Sequence, residues 1–137
     1  MKKPLLITAS LCYVLLLGAV PVFSQAGAVT AKIPFDFAVP GKAFRAGEYT
    51  MTIRPHTLRI GNAEGRVLAV VLANDANGRS SGQPGRIVFR CYRDRCFLAE
   101  VWAPGHEHGL EFHLSPVEAE LTRQQSGVYF AVLGEKP

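Results

Sequence analysis

The sequence predicts an all-β fold, a single small sandwich or barrel of about eight mostly antiparallel strands with one short C-terminal helix. Two observations predict the strands: apolar and polar residues alternate along several segments, and Gly-, Pro- and Asn-containing turns separate these segments at short intervals. A third observation concerns connectivity. Strand and helix patterns do not alternate along the chain, so a parallel sheet built from βαβ units is not expected.

The N-terminal segment predicts a secretory signal peptide. A basic start, Met1–Lys3, precedes the apolar run Leu5–Val20, and small residues at cleavage spacing end at Ala26 and again at Ala28. The apolar run is short for a membrane span, which needs about 20 residues. We therefore predict that residues 1–26 are a signal peptide cleaved after Ala26 or Ala28. The mature protein would be secreted or periplasmic and would meet the membrane only during export.

Residues 27–137 are predicted to form a single β-domain. The formal net charge of the whole chain is +4, and two of these charges belong to Lys2 and Lys3 in the signal peptide. The small charge that remains gives no reason to expect a nucleic-acid partner.

The first predicted strands show a clear alternation of apolar and polar residues. In residues 31–39 the apolar side chains share one face, and Pro34 predicts an edge strand or a local break because proline cannot donate to a ladder. Residues 49–53 alternate in the same way.

Residues 66–73, "RVLAVVLA", are apolar on both faces, which predicts a central strand or one that faces a second layer. Residues 74–85 lack any apolar residue larger than alanine and are predicted to form a flexible loop.

The helix start near the C-terminus has a recognisable capping pattern. Ser115 can cap the helix, Pro116 suits its first position, and Glu118 can reach back to the cap. We predict a helix over residues 116–125 with Val117 and Leu121 on its apolar side. Strands are predicted before it, over 110–114, and after it, over 128–133.

Several segments together resemble a group of small secreted bacterial proteins. The matching features are an I-P-F-x-F start and an AGEY-type turn in "IPFDFAVPGKAFRAGEYT", the F-L-x-x-V-W hairpin end at Phe97–Trp102, the turn Gly105–Gly109, and the S-x-x-E helix start Ser115–Glu118. The resemblance covers the mature chain and consists of core, turn and cap positions. It implies the fold class and secretion, and it implies neither an activity nor any site residue.

Cys91 and Cys96 are the cysteines of the mature chain, since Cys12 lies in the signal peptide. A redox pair needs C-x-x-C at a helix start, and a zinc site needs further ligands. A two-residue turn at Arg93 and Asp94 would place the two cysteines opposite each other at a non-hydrogen-bonded position, where the strands approach most closely. We therefore predict a cross-strand disulfide.

Histidines near the C-terminus offer a metal hypothesis. His106 and His108 have the spacing that puts two ligands on one face of a strand, and His113 follows closely. Glycines and a proline bracket the pair, which favours an exposed polar turn over a metal site.

Other sequence patterns that would indicate catalysis or ligand binding are weak. We find no evident pair of catalytic carboxylates, so we predict a protein that is not an enzyme and needs no cofactor. Arg90, Arg93 and Arg95 cluster around the hairpin and could contact an anionic envelope polymer or another secreted protein. The sequence thus favours an exported, non-catalytic binding or envelope-associated module. A metal-dependent protein that uses His106, His108 and His113 is the alternative.

Overall fold

A computed structural model describes residues 27–79 and 82–137, so the predicted signal peptide lies outside the described residues. The chain forms two curled, mainly antiparallel sheets that pack as a sandwich or half-barrel, with one short helix, and this confirms the predicted fold class. Within the described residues, no helix is long and apolar enough to cross a membrane.

The described residues form eleven strands and one helix, more strands than the sequence predicted. In chain order they are β1 Ala28–Ile33, β2 Phe37–Val39, β3 Lys42–Phe44, β4 Gly47–Arg54, β5 Thr57–Asn62, β6 Val67–Leu72, β7 Asn74–Ala76, β8 Gly85–Tyr92, β9 Arg95–Trp102, β10 Gly109–Glu111, α1 Pro116–Gln124 and β11 Val128–Gly134. The first sheet has the order β1-β4-β5-β6. The second has the order β11-β8-β9-β10-β7, and β2 joins it by pairing in parallel with β9 and antiparallel with β3.

The chain passes from the first sheet to the second at Pro34. Ile33 ends β1 and Phe37 begins β2, and both side chains are buried in the common core. Pro34 lacks the amide hydrogen that a continuous strand would need, so the ladder stops here. The predicted break is therefore confirmed, and β1 is also an edge strand of the first sheet.

Aromatic side chains join the two sheets in the core. Phe37 stacks on Phe44 with ring centroids 5.3 Å apart and meets Tyr49 and Phe89 edge-on at 5.4 and 5.3 Å. Each such pair adds about 0.5–1.5 kcal/mol beyond the burial of its area. The short β2–β3 hairpin, which carries Phe37 and Phe44, is thereby fixed against β4 and β8.

Two predictions for the middle of the chain need correction. Residues 67–72 form β6, which is an edge strand and not a central one, and Leu72 is 80% exposed. Val71 is buried in the common core, so the other predicted alternative, a strand that faces a second layer, holds. The predicted loop over 74–85 begins with β7, which pairs with β10, and buries Arg79. An apolar sequence such as that of β6 shows that its side chains can be buried. Whether another layer covers them depends on the rest of the fold.

The β8–β9 hairpin has the predicted register at its tip. Cys91 pairs with Cys96, Tyr92 with Arg95, and Phe89 with Leu98. A bulge then shifts the register, so that Val88 pairs with Glu100. The sulfur atoms of Cys91 and Cys96 form a disulfide with an S–S distance of 2.05 Å and a Cα–Cα distance of 4.0 Å.

Replacing both Cys91 and Cys96 by serine should lower the free energy of unfolding by about 2 kcal/mol, because the short ring no longer restricts the unfolded chain. Urea denaturation of the oxidised wild type and the double variant measures the difference. Equal stabilities, or two free thiols titrated in wild type purified without a reductant, would contradict the role of the disulfide as a staple.

Candidate functional site

Helix α1 is capped as the sequence predicted but docks differently. The Glu118 backbone N–H donates to Ser115 Oγ at 3.1 Å, and Pro116 begins the helix. Val117, predicted to lie on the buried side, is 51% exposed, whereas Glu118 is 1% exposed. The predicted return of the Glu118 side chain to the cap is wrong, because its carboxylate points into the protein.

Glu118 meets two side chains from the outer face of β8. Arg90 Nε donates to Glu118 Oε2 at 2.5 Å and Arg90 Nη2 donates to Oε1 at 3.2 Å. The Tyr92 hydroxyl donates to Oε2 at 2.9 Å, and Arg90 Nη2 also donates to the Phe112 carbonyl at 2.9 Å. Two adjacent outward positions of one strand thus hold the helix through a single carboxylate.

Burial and the carboxylate act on the pKa values of this cluster. Burial by itself would lower the pKa of Arg90, but its hydrogen bond to Glu118 and their attraction outweigh burial and raise it. Burial raises the pKa of Tyr92 to about 12, and the hydrogen bond to Glu118 acts in the same direction. At neutral pH the cluster is therefore a cation and a neutral phenol donating to one carboxylate.

A groove lies beside this cluster, between the β2–β3 hairpin and α1, with β9 as its floor. We call it the hairpin groove. It has a volume of about 350 Å³. Its apolar lining comes from Ala38, Val39, Phe97, Leu98, Phe112 and Val117.

Two cationic side chains, Arg95 and Lys42, line the hairpin groove. Arg95 lies over the Phe97 ring at 5.6 Å, and Lys42 Nζ donates to the Leu68 carbonyl at 2.8 Å. Both side chains line the groove and are exposed. The carboxylate of Glu118 also lines it, but its two oxygens accept hydrogen bonds from Arg90 and Tyr92. A ligand in the groove would therefore meet an apolar floor and a cationic rim.

A second hollow of about 410 Å³ lies on the other side of the β2–β3 hairpin and shares Arg95 and Phe97 with the hairpin groove. Asp36 and Asp94 line it together with Arg45. Because acidic and basic groups are mixed there, it has less preference for anions than the hairpin groove.

The three arginines predicted to contact a partner have different environments. Arg93 lies at the hairpin turn with φ of 56° and is exposed, and Arg95 is exposed beside it. The Arg90 side chain is only 14% exposed, and its guanidinium is bound to Glu118. Arg90 is therefore removed from the predicted contact surface, since its charge is already paired inside the protein.

The predicted histidine trio is not brought together. His106 and His108 line a separate hollow with Asp75 and Asn77, whereas His113 lines the hairpin groove. A ring nitrogen of His108 bonds Asn77 Oδ1. Across residues 27–79 and 82–137, no group of three or more His, Cys, Asp or Glu side chains is placed to hold a metal ion. The two glycines that bracket His106 and His108 hold them on a turn, away from the strand that follows.

Sequence reasoning missed Lys42 and Glu118 as residues of the site. The Pro40-Gly41 pair, with Gly41 at φ of 84°, signals the turn that places Lys42 on the groove wall. Local sequence holds no corresponding signal for Glu118, whose partner Arg90 is 28 residues away.

Comparisons of the chain with protein-family models, curated proteins and solved structures found no match. The resemblance seen in the sequence stays a prediction, and the function proposed below rests on the residues of this chain.

Glu118→Gln should lower the free energy of unfolding by about 3–5 kcal/mol, because it leaves the Arg90 charge buried without its counter-charge. Chemical denaturation measures the loss. Glu120→Gln is the matched control: Glu120 is exposed, and its only ion pair among the described residues is with Arg123 on the same helix, so a change within about 0.5 kcal/mol is expected. Equal losses in the two variants would contradict the buried ion pair.

Stability should also fall at alkaline pH through Tyr92. Its hydroxyl stays neutral in the folded protein up to a pKa of about 12, whereas an unfolded tyrosine ionises near pH 10. The stabilisation that the neutral Tyr92 hydroxyl gives the folded protein is therefore fully present below pH 10 and is lost as pH rises from about 10 to 12. Denaturation across this range should show Tyr92→Phe losing roughly 1–3 kcal/mol less than wild type. Parallel losses in the two proteins would contradict this assignment.

Proposed function

We propose that the mature chain is an exported, non-catalytic β-domain that binds an anionic envelope polymer at the β8–β9 hairpin tip and the hairpin groove. The observation that carries the proposal is the position of Arg95, an exposed guanidinium beside Arg93 that also lines the apolar groove. The predicted signal peptide and the Cys91–Cys96 disulfide support export, since disulfides persist in oxidising compartments.

Arginine suits this role because its planar fork binds carboxylate, phosphate and sulfate groups through two hydrogen bonds. Arg93 and Arg95 lie on either side of Asp94, and Lys42 extends the cationic rim along the groove. The small net charge of the mature chain does not provide attraction over the whole surface. Binding would therefore be local to this tip and would weaken as salt screens the exposed charges.

The proposal is tested with dextran sulfate and alginate, polymers that carry sulfate and carboxylate groups. We expect salt-sensitive binding to the exported wild type by calorimetry. The Arg93→Gly, Arg95→Ala double variant should bind at least tenfold more weakly, since a lost charge-assisted hydrogen bond is worth about 1.5–3 kcal/mol. Glycine is chosen at position 93 because it removes the charge and accepts the positive φ.

Arg59→Ala, Arg66→Ala is the matched control, since it removes two exposed arginines, one on β5 and one in the turn between β5 and β6, with the same change in charge. It should bind as wild type does. A Val117→Trp variant separates the groove from the hairpin tip, because Val117 is exposed and a larger side chain there fills the groove. Equal weakening by both arginine pairs would mean unspecific attraction and would overturn the proposed site. Unchanged binding by Val117→Trp would remove the groove from it.

A further inference from the structure

Arg79 is a charged residue buried at the opposite end of the β8–β9 hairpin from Arg93 and Arg95. It is 9% exposed, and its guanidinium carbon lies 5.4 Å from the centre of the Trp102 ring. Its Nη2 donates to the Gln83 carbonyl at 3.0 Å and to the Ala103 carbonyl at 3.1 Å. Two carbonyls and one ring thus hold this guanidinium in a defined position.

Some donors of these arginines have no partner among residues 27–79 and 82–137. Arg79 Nε and Nη1 and Arg86 Nε are buried and form no hydrogen bond there. Arg86 pairs with Trp102 in the ladder between β8 and β9, and its positive charge acts on Arg79. Neither guanidinium lies within 4.0 Å of an Asp or Glu oxygen in the described part of the chain.

Such an arrangement is costly without a further group. A buried donor without a partner loses its hydrogen bond to water and gains none in return, and a buried charge needs a counter-charge. Burial lowers the pKa of Arg79, and the neighbouring positive charge of Arg86 lowers it further. A water molecule would satisfy a donor but would leave the repulsion between the two like charges. An oxyanion supplies both the acceptors and the negative charge.

We propose that Arg79 and Arg86, supported by Trp102, form a binding site for a small oxyanion: phosphate, sulfate or a carboxylate. The class follows from the donors, because guanidinium forks match the paired oxygens of these groups. The site goes beyond the proposed function and is independent of it, since Arg86 lies at the start of β8 and the hairpin tip lies at its end.

The test uses the exported protein with sodium phosphate, sodium sulfate or sodium acetate, at constant ionic strength kept with sodium chloride. The thermal midpoint of wild type should rise with anion concentration, as expected when a ligand binds only the folded state. Phosphate and sulfate acting alone would assign a tetrahedral oxyanion, and acetate acting as well would assign a carboxylate-sized site. Calorimetry with the active anion should give a stoichiometry near one.

Arg79→Gln and Arg86→Gln should each weaken anion binding at least tenfold and abolish the rise in midpoint. The Arg93→Gly, Arg95→Ala variant should retain it, which separates this site from the polymer-binding tip. Arg59→Gln, on the exposed side of β5, is the control for a lost surface charge. If Arg79→Gln does not fold, Arg86→Gln carries the test alone. Equal midpoint shifts in wild type and Arg86→Gln, or no shift with any of the three anions, would overturn the proposal.

Discussion

The buried pair of Arg90 and Glu118 determines where the helix lies and hence whether the hairpin groove exists. The helix presents few apolar groups to the sheet, and Glu118 is its most buried side chain. Removing two charges from water is unfavourable, and the hydrogen bonds that Glu118 accepts from Arg90 and Tyr92 offset that cost. Such a contact tolerates little displacement, because the donors must remain in line with both carboxylate oxygens. The helix is therefore positioned by directional bonds rather than by apolar packing.

The groove results from three separate features of the chain. Pro34 interrupts the first strand and sends the chain to the second sheet, where the β2–β3 hairpin becomes one wall. The Cys91–Cys96 disulfide closes the β8–β9 hairpin, from which Phe97 and Leu98 form the floor. Glu118 holds the helix as the second wall. Pro34 lies far in sequence from the disulfide and from the ion pair, and the pairing of β2 with β9 brings the β2–β3 hairpin beside both of them.

Local patterns predicted those features that depend on neighbours in the chain. Alternation identified the strands, Ser115 and Pro116 identified the helix start, and the spacing of Cys91 and Cys96 predicted their pairing, since each signal lies within a few residues. The position of β6 at an edge could not be predicted, because an apolar strand does not reveal how many layers surround it. Arg90 was interpreted as an exposed charge for a similar reason: its partner on the helix becomes a neighbour only after folding. The hairpin groove could not be predicted either, because its walls come from segments that are distant in sequence.

The arginines on and around β8 and β9 show why net charge is a poor guide to function in this protein. Arg90 is paired within the fold, and Arg93 and Arg95 face solvent, whereas Arg79 and Arg86 hold buried donors that have no partner in the described part of the chain. In water, exposed charges are screened over about 8–10 Å at ordinary salt, whereas buried charges are screened far less. Added salt should thus weaken contacts at the hairpin tip while the Arg90 pair persists. A small oxyanion that enters among the Arg79 and Arg86 donors would act in the opposite direction, because it supplies the counter-charge that the fold lacks there.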